Sequence, residues 1–235
     1  VDVGDSLAAV EEVVFRKRLT TMAGLIDALR RDFDGREVLR GHLLRAPKYG
    51  NDDPGVDRWV RRVAGLCLSA LGRFTNTRGG PYVTGLYSVT AHQPFGEATG
   101  ALPSGRKAGR PLSNGISPSD GVDRLGPTAT LSSAAAMDPS NVGKNGVNVN
   151  VKLDGCCLAG EEGSAAVEGL LRGYFEAGGM QVQMNVVDPA VLLEAAAHPD
   201  RHPWLLVRVS GYSAYFNDLS PGMKQEIIDR SLHRG

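Results

Sequence analysis

Cysteine is scarce in this sequence, with three residues among 235, an odd number and without zinc-type spacing. That argues against a disulfide framework and leaves Cys67, Cys156 and Cys157 to be judged one by one. A charge excess is missing too: 26 basic residues cancel 26 acidic ones. Without a basic or acidic face, neither nucleic acid nor an acidic membrane surface is favoured as a partner. No apolar run approaches membrane-spanning length, and the opening stretch VDVGDSLAAVEEVV has neither a basic n-region nor an apolar h-region. The expectation is a cytoplasmic protein that works on small molecules or touches other proteins. What is present is a 42% hydrophobic content on a chain long enough to bury a sizeable core, as one large domain or part of a larger one.

From Asp5 to about Phe33, apolar residues recur at mostly helical spacing and predict one long amphipathic helix. REVLRGHLL predicts a short helix that stops before Pro47. The turn-rich KYGNDDPGVD follows, and VDRWVRRVAGLCLSALGRF predicts another helix. Leu66 and Leu68 flank Cys67 on it, so that thiol is expected to be buried and structural. GLYSVTAH, bounded by Gly85 and Pro94, reads as a strand. Residues 96–127 are dense in Gly, Pro, Ser, Asn and Asp and read as a long ordered loop folded against something. The last third alternates. A helix in GSAAVEGLLRGYFEAGG leads to a strand in MQVQMNVV. A helix capped by Asp188 with Pro189 at its first position leads to a strand in LLVRVSG, and one more helix runs from Ser220-Pro221 to near Ser231. This order predicts α/β architecture, with a parallel pair of strands joined by the helix at 189–197.

Gly211, in VRVSGYSAYF, has two readings. In one it supplies backbone freedom where a strand ends. In the other its bare Cα can lose a hydrogen and leave a planar radical, delocalised over the flanking amide nitrogen and carbonyl with no Cβ to clash. On strand 86–92, period-two alternation lets only one face point into a pocket. Ser88, Thr90 and His92, with Leu86, make one such face, and Tyr87, Val89 and Ala91 the other. His92 reads first as a hydrogen-bonded structural histidine and second as a general base. His198 and His202 lack companion carboxylates at metal-ligand spacing, so no metal site is expected. Arg106, Lys107 and Arg110 read as part of a structural loop, with Asp120 or Asp123 as ion-pair partner, and GEEG at 160–163 as a helix lead-in.

Resemblance chooses where local pattern does not. VRVSGYSAYFNDLSPGMKQEIIDRS resembles the C-terminal signature of glycyl radical enzymes, in which an Arg-Val-Ser-Gly-Tyr-Ser-Ala segment carries the radical. LLRAPKYGNDD (43–53), PFGEATGALPSGRKAGRPLSNGISP (94–118), GPTATLSSAAAMD (126–138) and GGMQVQMNVVD (178–188) resemble the pyruvate formate-lyase-like, lyase and dehydratase branch of that family, in the expected order. Long motifs in register over nearly the whole chain make the resemblance specific.

The resemblance implies the C-terminal half of a ten-stranded α/β barrel, with helices outside and the radical loop inside. Residues 1–110 would belong to the catalytic barrel and 111–235 to a glycine radical domain. It implies Gly211 as the radical site and Ser88, Thr90 and His92 as pocket candidates. Arg208, Val209, Ser210, Tyr212, Ser213 and Ala214 would be read by an activating enzyme that uses an iron–sulfur cluster and S-adenosylmethionine. No bound cofactor is implied. A thiyl-forming cysteine is expected upstream of this sequence or on a partner subunit, because Cys156 and Cys157 fall in a connecting segment and read as packing or surface residues. The expected reaction is C–O, C–N, C–S or C–C cleavage of a small substrate. Within the family the alternatives are decarboxylation or addition to fumarate. The alternative of another class is a radical-bearing spare part that repairs a larger enzyme.

Overall fold

The computed structural model describes residues 1–153, 155–158, 160–209 and 211–232, with the side chains of residues 156, 157, 229, 230 and 232 left out. The predicted long first helix is two helices. α1 (Asp2–Val10) runs on through a π-helical turn (Glu11–Arg16), and α2 (Met22–Arg30) starts afresh. Arg18 takes a left-handed φ of 51°, and Thr21 caps α2 by accepting from the Gly24 N–H at 3.1 Å. A threonine cap and a left-handed residue both end a helix, whatever the hydrophobic period says. α3 (Glu37–Arg45) matches its prediction. α4 (Pro54–Leu71) also forms as expected, with Asp53 accepting from Gly55 N–H at 2.8 Å. Its first turns are buried through Val56, Asp57 and Val60. Gly4 of α1 makes this crossing possible, since a Cβ there would stand 2.3 Å from Val60 Cγ2. The expectation for Cys67 fails: it lies on the far half of α4, and it is exposed.

The predicted strand at 86–92 is absent from the fold. Leu86 makes an isolated parallel bridge to Val147, and Val89 turns left-handed at φ 54°. Ala91 N–H then closes a turn onto Ser88 O, and a short helix, α5 (His92–Glu97), begins at the histidine. Alternation therefore does not govern which of residues 86–92 share a face. The long loop that follows is ordered as expected. Arg106 pins it by donating to the carbonyls of Gly96, Thr99, Gly100, Arg110 and Pro111.

α6 (Gly126–Ala136) and α7 (Pro139–Val142) lead to β1 (Asn150–Lys152). α8 (Gly160–Glu176) then crosses over to β2 (Gln183–Asn185), which lies parallel to β1 with Asn150 opposite Gln183. α9 (Pro189–Ala197) is capped by Asp188 as expected. β3 (Leu206–Arg208) turns back into β4 (Ser213–Tyr215) as an antiparallel pair, and α10 (Pro221–Leu232) closes the chain. The α/β class stands, but the parallel pair is β1 with β2, joined by α8. The helix at 189–197 joins two strands that belong to different sheets.

Residues 48–53 knit the first two thirds together. The Lys48 ammonium donates to Leu43 O at 2.7 Å and Ala46 O at 3.0 Å, closing the end of α3. Tyr49 is fully buried, and its N–H donates to the Asp5 carboxylate at 2.8 Å. Asn51 donates to Val122 O and accepts from the Arg124 N–H. The apolar residues fall into three clusters. One gathers Ala8, Tyr49, Val60, Leu131, Val149 and Tyr174, and a second gathers Val13, Leu25, Phe33 and Leu43. The third contains Leu192, Val207, Val209, Phe216, Met223 and Ile228, with partly buried packing partners among the described residues from 187–219. The C-terminal unit therefore carries its own core.

Asp57 is buried in the first region. One of its oxygens accepts from Ser133 Oγ at 3.1 Å, while the other has no hydrogen-bond partner among the described residues. Desolvation, with Asp52 and Asp53 adding to it, raises its pKa from 3.8 to about 6. A raised folded-state pKa favours the protonated form. The stability it contributes is therefore present below the unfolded value and is lost as pH rises through about 6, up to about 3 kcal/mol. Asp57→Asn is expected to remove that loss, making the variant more stable relative to the parent at pH 8 than at pH 4 in equilibrium unfolding. An unchanged difference between the two pH values would refute the assignment.

Candidate functional site

The β3–β4 hairpin brings Gly211 to the surface of the C-terminal unit. Val209 N–H donates to Tyr212 O at 2.9 Å and closes the turn, and Gly211 adopts φ 84°. An L side chain rarely takes that conformation. Crowding is not the reason for glycine, because among the described residues an added Cβ would meet only Gln183 Nε2, at 3.9 Å. Gly211 N–H donates to Gln183 Oε1 at 3.0 Å, and Gly211 O accepts from Arg208 Nη2 at 3.2 Å. Arg208 also donates through Nε to Gln183 Oε1 at 3.2 Å and through Nη1 to Ser213 Oγ at 3.2 Å. Gln183 is buried on β2, so the loop's acceptor belongs to the β1–β2 sheet.

A second tie lies across the same seam. His92 and Glu226 are both buried, and His92 Nε2 lies 2.8 Å from Glu226 Oε2. Gln93 Nε2 donates to the same oxygen at 2.6 Å. The other ring nitrogen of His92 is 3.0 Å from Ser88 Oγ, which in turn lies 2.9 Å from Asn114 Oδ1 and accepts from the Gly115 N–H at 3.2 Å. Lys152 Nζ adds a bond to Ser231 O on α10. Beside these ties is a cavity of about 580 Å³, lined among others by Thr90, Gln93, Glu97, Tyr212, Asp218 and Met223.

The structure thus brings half-buried Ser88 and buried His92 together in one hydrogen-bonded chain and sets Thr90 on the cavity wall. His92 has both ring nitrogens engaged, the structural arrangement read first from the sequence. Among the residues expected to be read by an activating enzyme, Tyr212 and Ser213 are exposed, Arg208 and Ala214 half-buried, and Val209 buried in the third core. Ser210 lies outside the described residues, as do the side chains of Cys156 and Cys157. Sequence reasoning missed Gln183 and Glu226. Gln183 stood in a segment read as an alternating strand, and Glu226 in a QEII run read only as helix. Neither pattern signals that a polar side chain will be buried against another unit. Among the described residues no group of three or more His, Cys, Asp or Glu side chains is arranged to hold a metal ion, and no helix is long and apolar enough to cross a membrane.

Comparison with known proteins covers both parts of the chain. The Pyruvate formate lyase-like family matches residues 1–96 and the Glycine radical family residues 112–217. The chain is 42% identical to a probable dehydratase, YbiW, of Escherichia coli (strain K12), over 99% of the chain and 30% of that protein. It is 38% identical to trans-4-hydroxy-L-proline dehydratase of Clostridioides difficile, over 97% of the chain and 29% of that protein. Its fold is similar to that of the glycerol-bound B12-independent glycerol dehydratase of Clostridium butyricum, with a TM-score of 0.94 at 40% identity, covering 97% of the chain and 29% of that structure. The chain spans less than a third of the length of these relatives.

Breaking the buried Glu226 contact leaves His92 and Gln93 without their shared acceptor, and a buried donor left unsatisfied costs about 1–3 kcal/mol. Glu226→Ala is expected to raise amide hydrogen exchange across residues 187–232 while leaving α1–α4 unchanged. An equal rise throughout the chain would show that the pair holds the whole fold instead of the seam.

Proposed function

Because the chain belongs to the glycyl radical enzyme family, we propose that it is the glycyl-radical-bearing component of an anaerobic lyase or dehydratase acting on a small substrate. The observation that carries this reading is Gly211 itself. It lies inside the stretch matched by the Glycine radical family, on a hairpin turn whose backbone conformation favours glycine while the space around its Cα stays open. Similar proteins include dehydratases beside isethionate sulfite-lyases and an indoleacetate decarboxylase, so C–O elimination is the reading taken first, with C–S cleavage and decarboxylation as its alternatives. Residues 1–110 would form part of the catalytic barrel and 111–235 the glycine radical domain. The match of residues 1–96 to the Pyruvate formate lyase-like family supports an enzyme component over a spare part reduced to the glycine region.

In this reading an activating enzyme that uses an iron–sulfur cluster and S-adenosylmethionine would supply the acceptor for one hydrogen atom of Gly211. One Gly211 Cα–H bond would break homolytically, the hydrogen atom passing to the activating enzyme and the unpaired electron staying on Cα. At each turnover Gly211 takes a hydrogen atom from a cysteine thiol supplied by an N-terminal part of the protein or by a partner subunit. The resulting thiyl radical takes a hydrogen from substrate carbon. Activation requires the 207–216 segment to leave its seat, and mobile loops commonly gate such steps. The polar seam supports this, because hydrogen bonds can be exchanged for water at modest net cost. The exposed Tyr212 and Ser213 would meet the activating enzyme first, with Thr90 facing the pocket and Ser88 and His92 holding the wall behind it.

Anaerobic activation of the protein should give an electron paramagnetic resonance doublet from one α-hydrogen, and Gly211→Ala should abolish it. Since an added Cβ meets nothing closer than 3.9 Å, the substitution costs only the left-handed backbone penalty of about 1–2 kcal/mol, and the variant should still fold. Exposure of the activated protein to oxygen should cut the backbone at Gly211, as read by mass spectrometry. A doublet that persists in Gly211→Ala would overturn the assignment.

A further inference from the structure

Gly211, Gln183 and Arg208 form a closed hydrogen-bonded ring. Gln183 Oε1 accepts from Gly211 N–H at 3.0 Å and from Arg208 Nε at 3.2 Å, while Arg208 Nη2 returns to Gly211 O at 3.2 Å. Two N–H donors converge on one side-chain atom of Gln183, so the amide oxygen, not its nitrogen, must stand there. The ring has a direction. An acceptor on the glycine N–H enriches the nitrogen, and a guanidinium on the glycine carbonyl draws density from it, a charge-assisted bond of the stronger kind. A radical at Cα is stabilised by exactly such a donor on one side and an acceptor on the other, and hydrogen bonds in series polarise one another. The same two bonds hold both amide groups of Gly211 in place, with Gln183 seated on β2 and buried.

We propose that Gln183 and Arg208 are positioning residues that tune the Gly211 radical, the first through its N–H and the second through its carbonyl. This rests on the reading of Gly211 as the radical site. It adds that radical lifetime and spin distribution depend on a residue 28 positions upstream, on a different sheet. Gln183→Leu keeps the bulk and removes the acceptor. Gln183→Glu keeps an acceptor oxygen for both donors.

The test uses the full-length protein, labelled with 15N-glycine and activated anaerobically. In Gln183→Leu the Gly211 15N hyperfine coupling should fall, and the doublet should decay several-fold faster. Gln183→Glu should restore both. Failure of Gln183→Leu to accumulate any radical while Gln183→Glu accumulates it would also support the proposal. Wild-type coupling and lifetime in Gln183→Leu, or loss in both variants, would overturn it. Before activation, amide exchange at Gly211 should speed up in Gln183→Leu and not in Gln183→Glu. That arm needs no radical: absence of a doublet in the parent protein would defeat the radical reading, whereas unchanged exchange in Gln183→Leu would defeat the tether.

Discussion

Residues 187–228 build their own apolar core around Phe216, Val207 and Ile228, and among the described residues hydrogen bonds tie the hairpin that carries Gly211 to β2. The ties run from Gln183 to Gly211 and Arg208, from His92 and Gln93 to Glu226, and from Lys152 to Ser231. A unit with an internal core keeps its shape when its seam is opened. An apolar seam would have lost buried area at about 25 cal/mol per Å² on opening, whereas hydrogen-bonded groups regain partners in water. The seam is thus specific in geometry and inexpensive to cross, which is what a glycine needs if it is to be reached by one protein and returned to another site.

The other side of the seam is rigid for identifiable reasons. Residues 48–53 tie the end of α3, α1 and the 118–125 loop to one another, and Gly4 lets α1 lie against α4 at backbone distance. Behind Gln183 stands the β1–β2 pair with its α8 crossover. His92, held by Ser88 on one nitrogen and facing Glu226 with the other, extends this frame to the edge of α10. The cavity walled by Thr90 and Tyr212 lies where frame and hairpin unit meet.

Much of the helical architecture was readable in advance because its signals are local. Asp188 before Pro189, and Asp53 before Pro54, mark helix starts by chemistry that needs no partner. The long motifs around Gly211 identified the family for the same reason: they are contiguous. One failure was local, the Thr21 cap and left-handed Arg18 that split the first helix; the others were not. Strand propensity at 86–92 gave way to a left-handed Val89 and the start of α5. Cys67 looked buried from its neighbours, but the far half of α4 is exposed. The parallel pair was assigned to the wrong helix because periodicity says nothing about which strand will lie beside which.

By itself the sequence determined the α/β class, the helix caps and the contiguous motif in which Gly211 stands. Those properties reside in single residues or short windows. Only the tertiary structure decided that Gln183 and Arg208 would bind the two sides of that glycine, and that Glu226 would be buried against His92. The Gln183–Gly211 and His92–Glu226 contacts join residues 28 and 134 positions apart. A polar side chain carries no mark of its eventual partner until the chain has folded to remove both from water.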